Sequence, residues 1–131
     1  MTRREEREQA LCFLYEAAFQ TDEPPETIME NAALARSLEI GPYARKIFTG
    51  VTSSLPEIDV LIEPNLIGWK KSRISKLTMS ILRLAAFELT KVKSVPTKVA
   101  INEAVELAKK FASPEDAAYI NGILGSVARK L

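Results

Sequence analysis

Three arginines, Arg3, Arg4 and Arg7, stand within the first seven residues, and guanidinium groups this close together are suited to neutralising phosphates. Apolar or small residues then recur at Ala10, Leu11, Leu14, Tyr15 and Ala18, the spacing of a helix. Thr2 followed three residues later by Glu5 has the form of a capping box, which predicts that the helix begins at Arg3. Arg3 and Arg4 then sit in the first turn, where the helix dipole disfavours a cation by about 0.3–1 kcal/mol. Arg4 and Glu8 lie at i,i+4, but such a pair returns only about 0.2–0.5 kcal/mol. Arg3 and Arg7 share a stripe with no acid between them. Either carboxylates compensate these arginines, or a polyanion does.

Little else in the chain suggests chemistry. There is no histidine, which excludes Ser–His and Cys–His nucleophiles and histidine metal sites. Cys12 is the only cysteine, so no thiolate cluster can hold zinc or iron–sulfur. No phosphate-binding glycine loop or dinucleotide fingerprint is present. Catalysis, a cofactor and a metal are therefore not expected, and a binding protein is. Tyr15 and Tyr119 each suit core packing or a stacking platform for a base, with packing favoured. Asn121 shares a helical face with Leu124 and Ala128 and is expected to be partly buried, bonded to a loop backbone. Asn102 reads as structural. Gly122 and Gly125 inside a helical stretch suggest close approach of a neighbouring helix. Trp69 beside Lys70 and Lys71 reads as a junction anchor with a basic rim.

These residues must be positioned by helices, because almost every segment has helical periodicity. Pro24–Pro25 starts a helix expected over 26–38, and another begins near Tyr43 with Ile47, Phe48 and Val51 inward. Pro56 should restart that helix, with Ser54 and Glu57 as a fresh cap. Residues 63–72 contain Pro64, Asn65 and Gly68 and form the expected junction between two halves. The following stretch, from Ile74 to Leu89, is apolar around most of its circumference and should be the most buried helix. A helix over 97–111 is expected to bury Ile101, Ala104, Val105, Ala108 and Phe111, with Glu106 and Lys110 paired outside. Ser113–Pro114–Glu115–Asp116 starts a last helix that should bury Ala117, Ile120, Leu124, Ala128 and Leu131.

At 131 residues the chain has the length of one domain. Its net charge of +1 hides an asymmetry: residues 70–98 hold eight basic side chains against the single acid Glu88. That run suits a polyanion or an acidic protein equally with a solvated face. One thiol and a charged N-terminus without a signal stretch suggest a reducing, cytoplasmic compartment, and no apolar run is long enough for a membrane span.

The motifs ILRLAAFEL (81–89), VPTKVAINEAVELAKKFA (95–112) and YINGIL (119–124), with the arginine-rich start RREEREQALCFLY (3–15), resemble the bacterial NusB transcription antitermination family. The resemblance runs along essentially the whole chain and is looser in the middle. It implies an all-α fold, a compact helical bundle of two three-helix subdomains over about 1–64 and 73–131. It also implies binding of boxA RNA together with NusE, a small-subunit ribosomal protein, and loading of an antitermination complex on RNA polymerase, notably for ribosomal RNA. The family's RNA contacts would fall on Arg3, Arg4, Arg7 and Tyr119. Tyr15, Thr78 and Arg83 would face the protein partner. Glu5 and Glu6 interrupt a basic run that is often denser, and Thr78 stands where an acid can occur. The family also includes homodimers that cover the RNA surface, so a homodimer is a further expectation. The alternatives are a helical protein-interaction module and an accessory RNA-binding domain of a ribosomal RNA methyltransferase; the end at Leu131, without a nucleotide-binding segment, favours the stand-alone factor.

Overall fold

Thr2 starts the first helix in the predicted way. Its hydroxyl accepts from the Glu5 N–H at 3.1 Å, and its own N–H donates to Glu5 Oε1 at 2.8 Å. Helix α1 follows over Arg3–Ala17. The structure is a computed structural model that describes residues 1–66, 68 and 74–131. Among the described residues every other regular element is also helical: α2 (Pro25–Ala35), α3 (Pro42–Ser53), α4 (Leu55–Ile62), α5 (Lys76–Lys91), α6 (Thr97–Phe111) and α7 (Pro114–Arg129). The fold is all-α.

Local chemistry explains the boundaries. Helix α2 stops three residues before the expected end, because Ser37 takes a left-handed conformation (φ 52°) and the Leu38 N–H turns back to the Ala33 carbonyl at 2.8 Å. Pro56 does restart the helix as α4, but Ser54 stands at its cap without the expected side-chain hydrogen bond. Ser75 caps α5 through the Thr78 N–H at 3.0 Å, and Ser113 caps α7 through the Asp116 N–H at 3.1 Å. Of the expected junction, Glu63–Asn65 forms a single 3-10 turn and Gly68 has a positive φ of 78°. Trp69, Lys70 and Lys71, the expected anchor and rim, lie outside the described residues.

Helix α5 is the centre of the molecule, packed against α1, α3, α4, α6 and α7. Residues from Thr78 to Glu88 are buried save Arg83, so the expectation of a helix buried all round holds. Helix α6 is rotated from its expected setting. It buries the small-residue stripe Ala100, Ala104 and Ala108 with Leu107, while Ile101 and Val105 are half-buried and Phe111 is exposed. The alanines let helix axes approach, and Phe111, at the helix end, serves instead as a platform for the Lys110 ammonium 5.4 Å above its ring. Lys110 does not pair with Glu106. In α7, Ile123 and Val127 join Ala117, Ile120 and Leu124 in the core, whereas Leu131 is exposed beyond the helix end. Asn121 and Asn102 are exposed, contrary to the structural roles expected of them. Gly122 has no close neighbour either, since a Cβ there would meet nothing within 4 Å. Close approach falls on Gly50, where a Cβ would run into the ring of Phe87.

Candidate nucleic-acid interface

The arginines at the start of α1 are compensated by acids from distant helices. Arg4 donates through Nε and Nη2 to the two carboxylate oxygens of Glu103 on α6, at 3.2 and 2.8 Å. Arg7 donates from Nε to Glu88 Oε2 on α5 at 2.9 Å and from Nη1 to Glu103 Oε1 at 3.2 Å. The expected Arg4–Glu8 pair does not form; Glu8 accepts from Lys110 at 2.7 Å instead. Arg3 lies over the ring of Tyr43 on α3, its guanidinium carbon 3.8 Å from the ring centre. One end of the bundle thus gathers α1, α3, α5 and α6 around a charged network.

The network divides into a sealed part and an open part. The side chain of Glu88 is fully buried and that of Arg7 is 4% exposed. Tyr43 completes this layer by donating its hydroxyl to Glu88. Burial, and then the hydrogen bond to Glu88, push the Tyr43 hydroxyl pKa above its ordinary value. The Arg7 side chain is therefore not on an exposed stripe, as the spacing suggested. Arg3 and Arg4 are exposed, the Arg4 side chain by 59%. The hydrogen bonds to Glu103 raise the Arg4 pKa, holding it firmly charged. A shallow groove of about 190 Å³ runs between Arg4, Glu8, Glu103, Glu106, Leu107 and Lys110. Exposed guanidinium and ammonium groups along a groove can receive a phosphate backbone.

The two acids that interrupt the basic start have their own tasks. Glu5 closes the α1 cap. Glu6 is buried and accepts from the Tyr43 N–H at 2.8 Å, capping α3, whose cap residue Gly41 has no side chain to do so. Glu6 is therefore not a surface charge, while Glu5 stays exposed and is held in the cap.

The other candidates fall elsewhere. Tyr119 on α7 is half-buried against the core, and burial raises its hydroxyl pKa. Tyr15, at the far end of α1, is exposed rather than packed in the core, and meets the exposed ring of Phe19 edge-on at 5.0 Å. The ammonium of Lys76, at the start of α5, lies 5.4 Å from the Phe19 ring centre. Thr78 on α5 is buried, so its side chain does not face outward as expected. Arg83 is half-buried and bonded twice to Asp59 on α4, at 2.9 Å each. Arg83 also borders an apolar cleft of about 250 Å³ lined by Leu14, Ala18, Ile28, Leu55 and Ser80. Sequence spacing missed Glu103, Tyr43, Phe19 and the Arg83 partner Asp59, because each meets its partner across the fold. Glu88 had a signal: a lone acid in a helix apolar all round must find a cation.

The sequence pattern of the NusB family matches residues 4–129. The chain is 37% identical over 130 residues to the transcription antitermination protein NusB of Clostridium novyi, with 97% of this chain and 98% of that protein covered. It is 39% identical over 135 residues to the NusB of Natranaerobius thermophilus, covering 100% of this chain and 97% of the relative. Its structure resembles that of T. maritima NusB with a TM-score of 0.88 at 32% identity, over 99% of this chain and 92% of the other. A chain from the crystal structure of the antitermination factors NusB and NusE in complex with dsRNA shares the fold at a TM-score of 0.85 and 24% identity, with both chains fully covered. Matched from its first arginines to the end of α7 in sequence, and throughout in fold, the chain belongs to the NusB family.

Proposed function

We propose that this chain is a cytoplasmic, RNA-binding transcription antitermination factor. It holds boxA-type RNA together with NusE and helps load an antitermination complex on RNA polymerase, notably on ribosomal RNA transcripts. The observation that carries this reading is the near full-length correspondence with proteins named transcription antitermination protein NusB. A chain of the same fold stands in a complex of NusB, NusE and double-stranded RNA.

The side chains supply a mechanism. Arg3, Arg4 and Lys110 present three exposed cations at one end of the bundle, and their docking on phosphates releases counterions. Arg7 positions rather than touches: its bonds to Glu88 and Glu103 fix the roll of α1 against α5 and α6. Asn102, exposed one residue before Glu103, and Tyr119 on the neighbouring helix add polar and aromatic contact to bases. At the other end of α1, the exposed Tyr15–Phe19 pair and the cleft beside Arg83 receive NusE.

Size-exclusion chromatography with NusE and a boxA-bearing oligonucleotide, singly and together, tests this. A ternary peak eluting ahead of every binary mixture is expected. Co-elution with NusE but never with RNA would leave only a protein-interaction bundle. A free protein eluting as a dimer that RNA cannot shift would mean that the arginine face is covered by a second copy.

A further inference from the structure

The arginine face already holds an anion of its own. Glu103 sets its two oxygens against Nε and Nη2 of Arg4, the fork-to-carboxylate geometry in which a guanidinium also grips a phosphate. Its Oε1 oxygen is shared with the buried Arg7, so the carboxylate is anchored from below and presented from within the bundle. The Glu103 side chain is only 14% exposed, while Arg4 stands 59% open to solvent. An approaching strand therefore meets a fork that is accessible but filled. Nearby Glu106 differs: it pairs at 3.7 Å with Lys109 on its own helix and, among the described residues, makes no ion pair with an arginine.

We infer that Glu103 is an internal stand-in for phosphate, occupying the Nε–Nη2 edge of Arg4 against an RNA backbone and so setting the affinity threshold of the arginine face. The inference rests on the RNA-binding reading above and deepens it. To seat a phosphate on that edge, Arg4 must turn outward and leave Glu103 with Arg7 alone. This penalty falls on every polyanion alike. Strands held by phosphate contacts alone then dissociate, while those with further base or protein contacts stay bound.

The test is a double-mutant cycle on the full chain, read as affinity for a boxA-bearing single-stranded RNA at fixed salt. Glu103→Gln keeps a carbonyl oxygen for Arg7 but releases Arg4, and should tighten binding about five-fold, the size of a part-exposed bidentate ion pair. Glu106→Gln removes the same charge from the same groove without freeing a guanidinium, and should tighten it by less than about two-fold. In an Arg4→Ala background the extra gain from Glu103→Gln should vanish. Equal gains from both glutamine variants, or a gain that survives without Arg4, would overturn the inference. Wild-type protein that binds no RNA even beside NusE would instead overturn the functional reading, and this inference with it. A measurement on the unaltered protein guards against a misfolded variant: the Arg4 Nε–H proton resonance should move when RNA is added, and an unmoved resonance in a saturated complex would show that the fork never opens.

Discussion

Arg4 and Arg7 are one turn apart on the same helix and do opposite work. Arg7 lies in the interior opposite Glu88, and truncating one member of such a pair leaves a buried charge uncompensated. Arg7→Ala should therefore lower the unfolding free energy by about 3–5 kcal/mol, measured by urea denaturation. Arg4 is exposed, and losing a surface ion pair costs stability at most about 1 kcal/mol. Replacing Arg3 and Arg4 together should flatten the log–log salt dependence of RNA binding by about 1.4, two phosphates at about 0.7 each, with the melting temperature little changed. An unchanged slope would take the tip of α1 out of the interface. The sequence presents Arg3 and Arg7 as one stripe and Arg4 as a partner of Glu8, because local spacing reports neighbours at i+3 and i+4 and not partners across the fold. The carboxylates that separate them come from 81 and 96 positions away.

At the scale of elements, capping chemistry was the most legible feature, since it resides in contiguous residues. The starts of α1 and α7 and the proline restart of α4 were all readable that way. Faces were harder wherever alanine dominates. Hydropathy put the bulky Phe111 of α6 inward, but the packing uses Ala100, Ala104 and Ala108. Glu6 looks in sequence like an interruption of a basic run, because its role, capping a helix that begins 36 residues later, leaves no local trace. Thr2→Ala should cost about 1 kcal/mol of stability at neutral pH. Folding lowers the Glu5 pKa below its ordinary 4.5, chiefly through the hydrogen bond from the Thr2 backbone. Its contribution is thus fully present above that value and is lost as pH falls through the lower folded one. The Thr2 side chain also lowers the Glu5 pKa, and Thr2→Ala removes that share while keeping the backbone N–H. The deficit should accordingly shrink in acid; a deficit that grows below pH 4.5 would contradict the reciprocal cap.

For the whole molecule, the basic run over 70–98 does not form one patch among the described residues. Lys76 begins α5, Lys91 ends it, Arg83 is tied to Asp59 and Glu88 lies in the core. The two ends of α5 are about 24 Å apart, so net charge per segment was a poor guide to the surface. Helix α1 organises the molecule better. Arg4 and Tyr15 stand about 16 Å apart along one axis, enough for a strand at one end and a protein at the other. Tyr15→Ser with Phe19→Ser should weaken NusE binding about ten-fold in calorimetry and leave binary RNA affinity unaltered. A parallel loss of RNA affinity would mean that the two surfaces are not separate.

The meeting of Arg7 with Glu88 also constrains how the molecule comes into being. During synthesis the arginine leaves the ribosome first, and the acid it must neutralise is added 81 residues later. Until α5 emerges the nascent front half lacks its counter-charge, so the interior closes late, and a chain shortened past its first turns would strand an unanswered carboxylate at its centre.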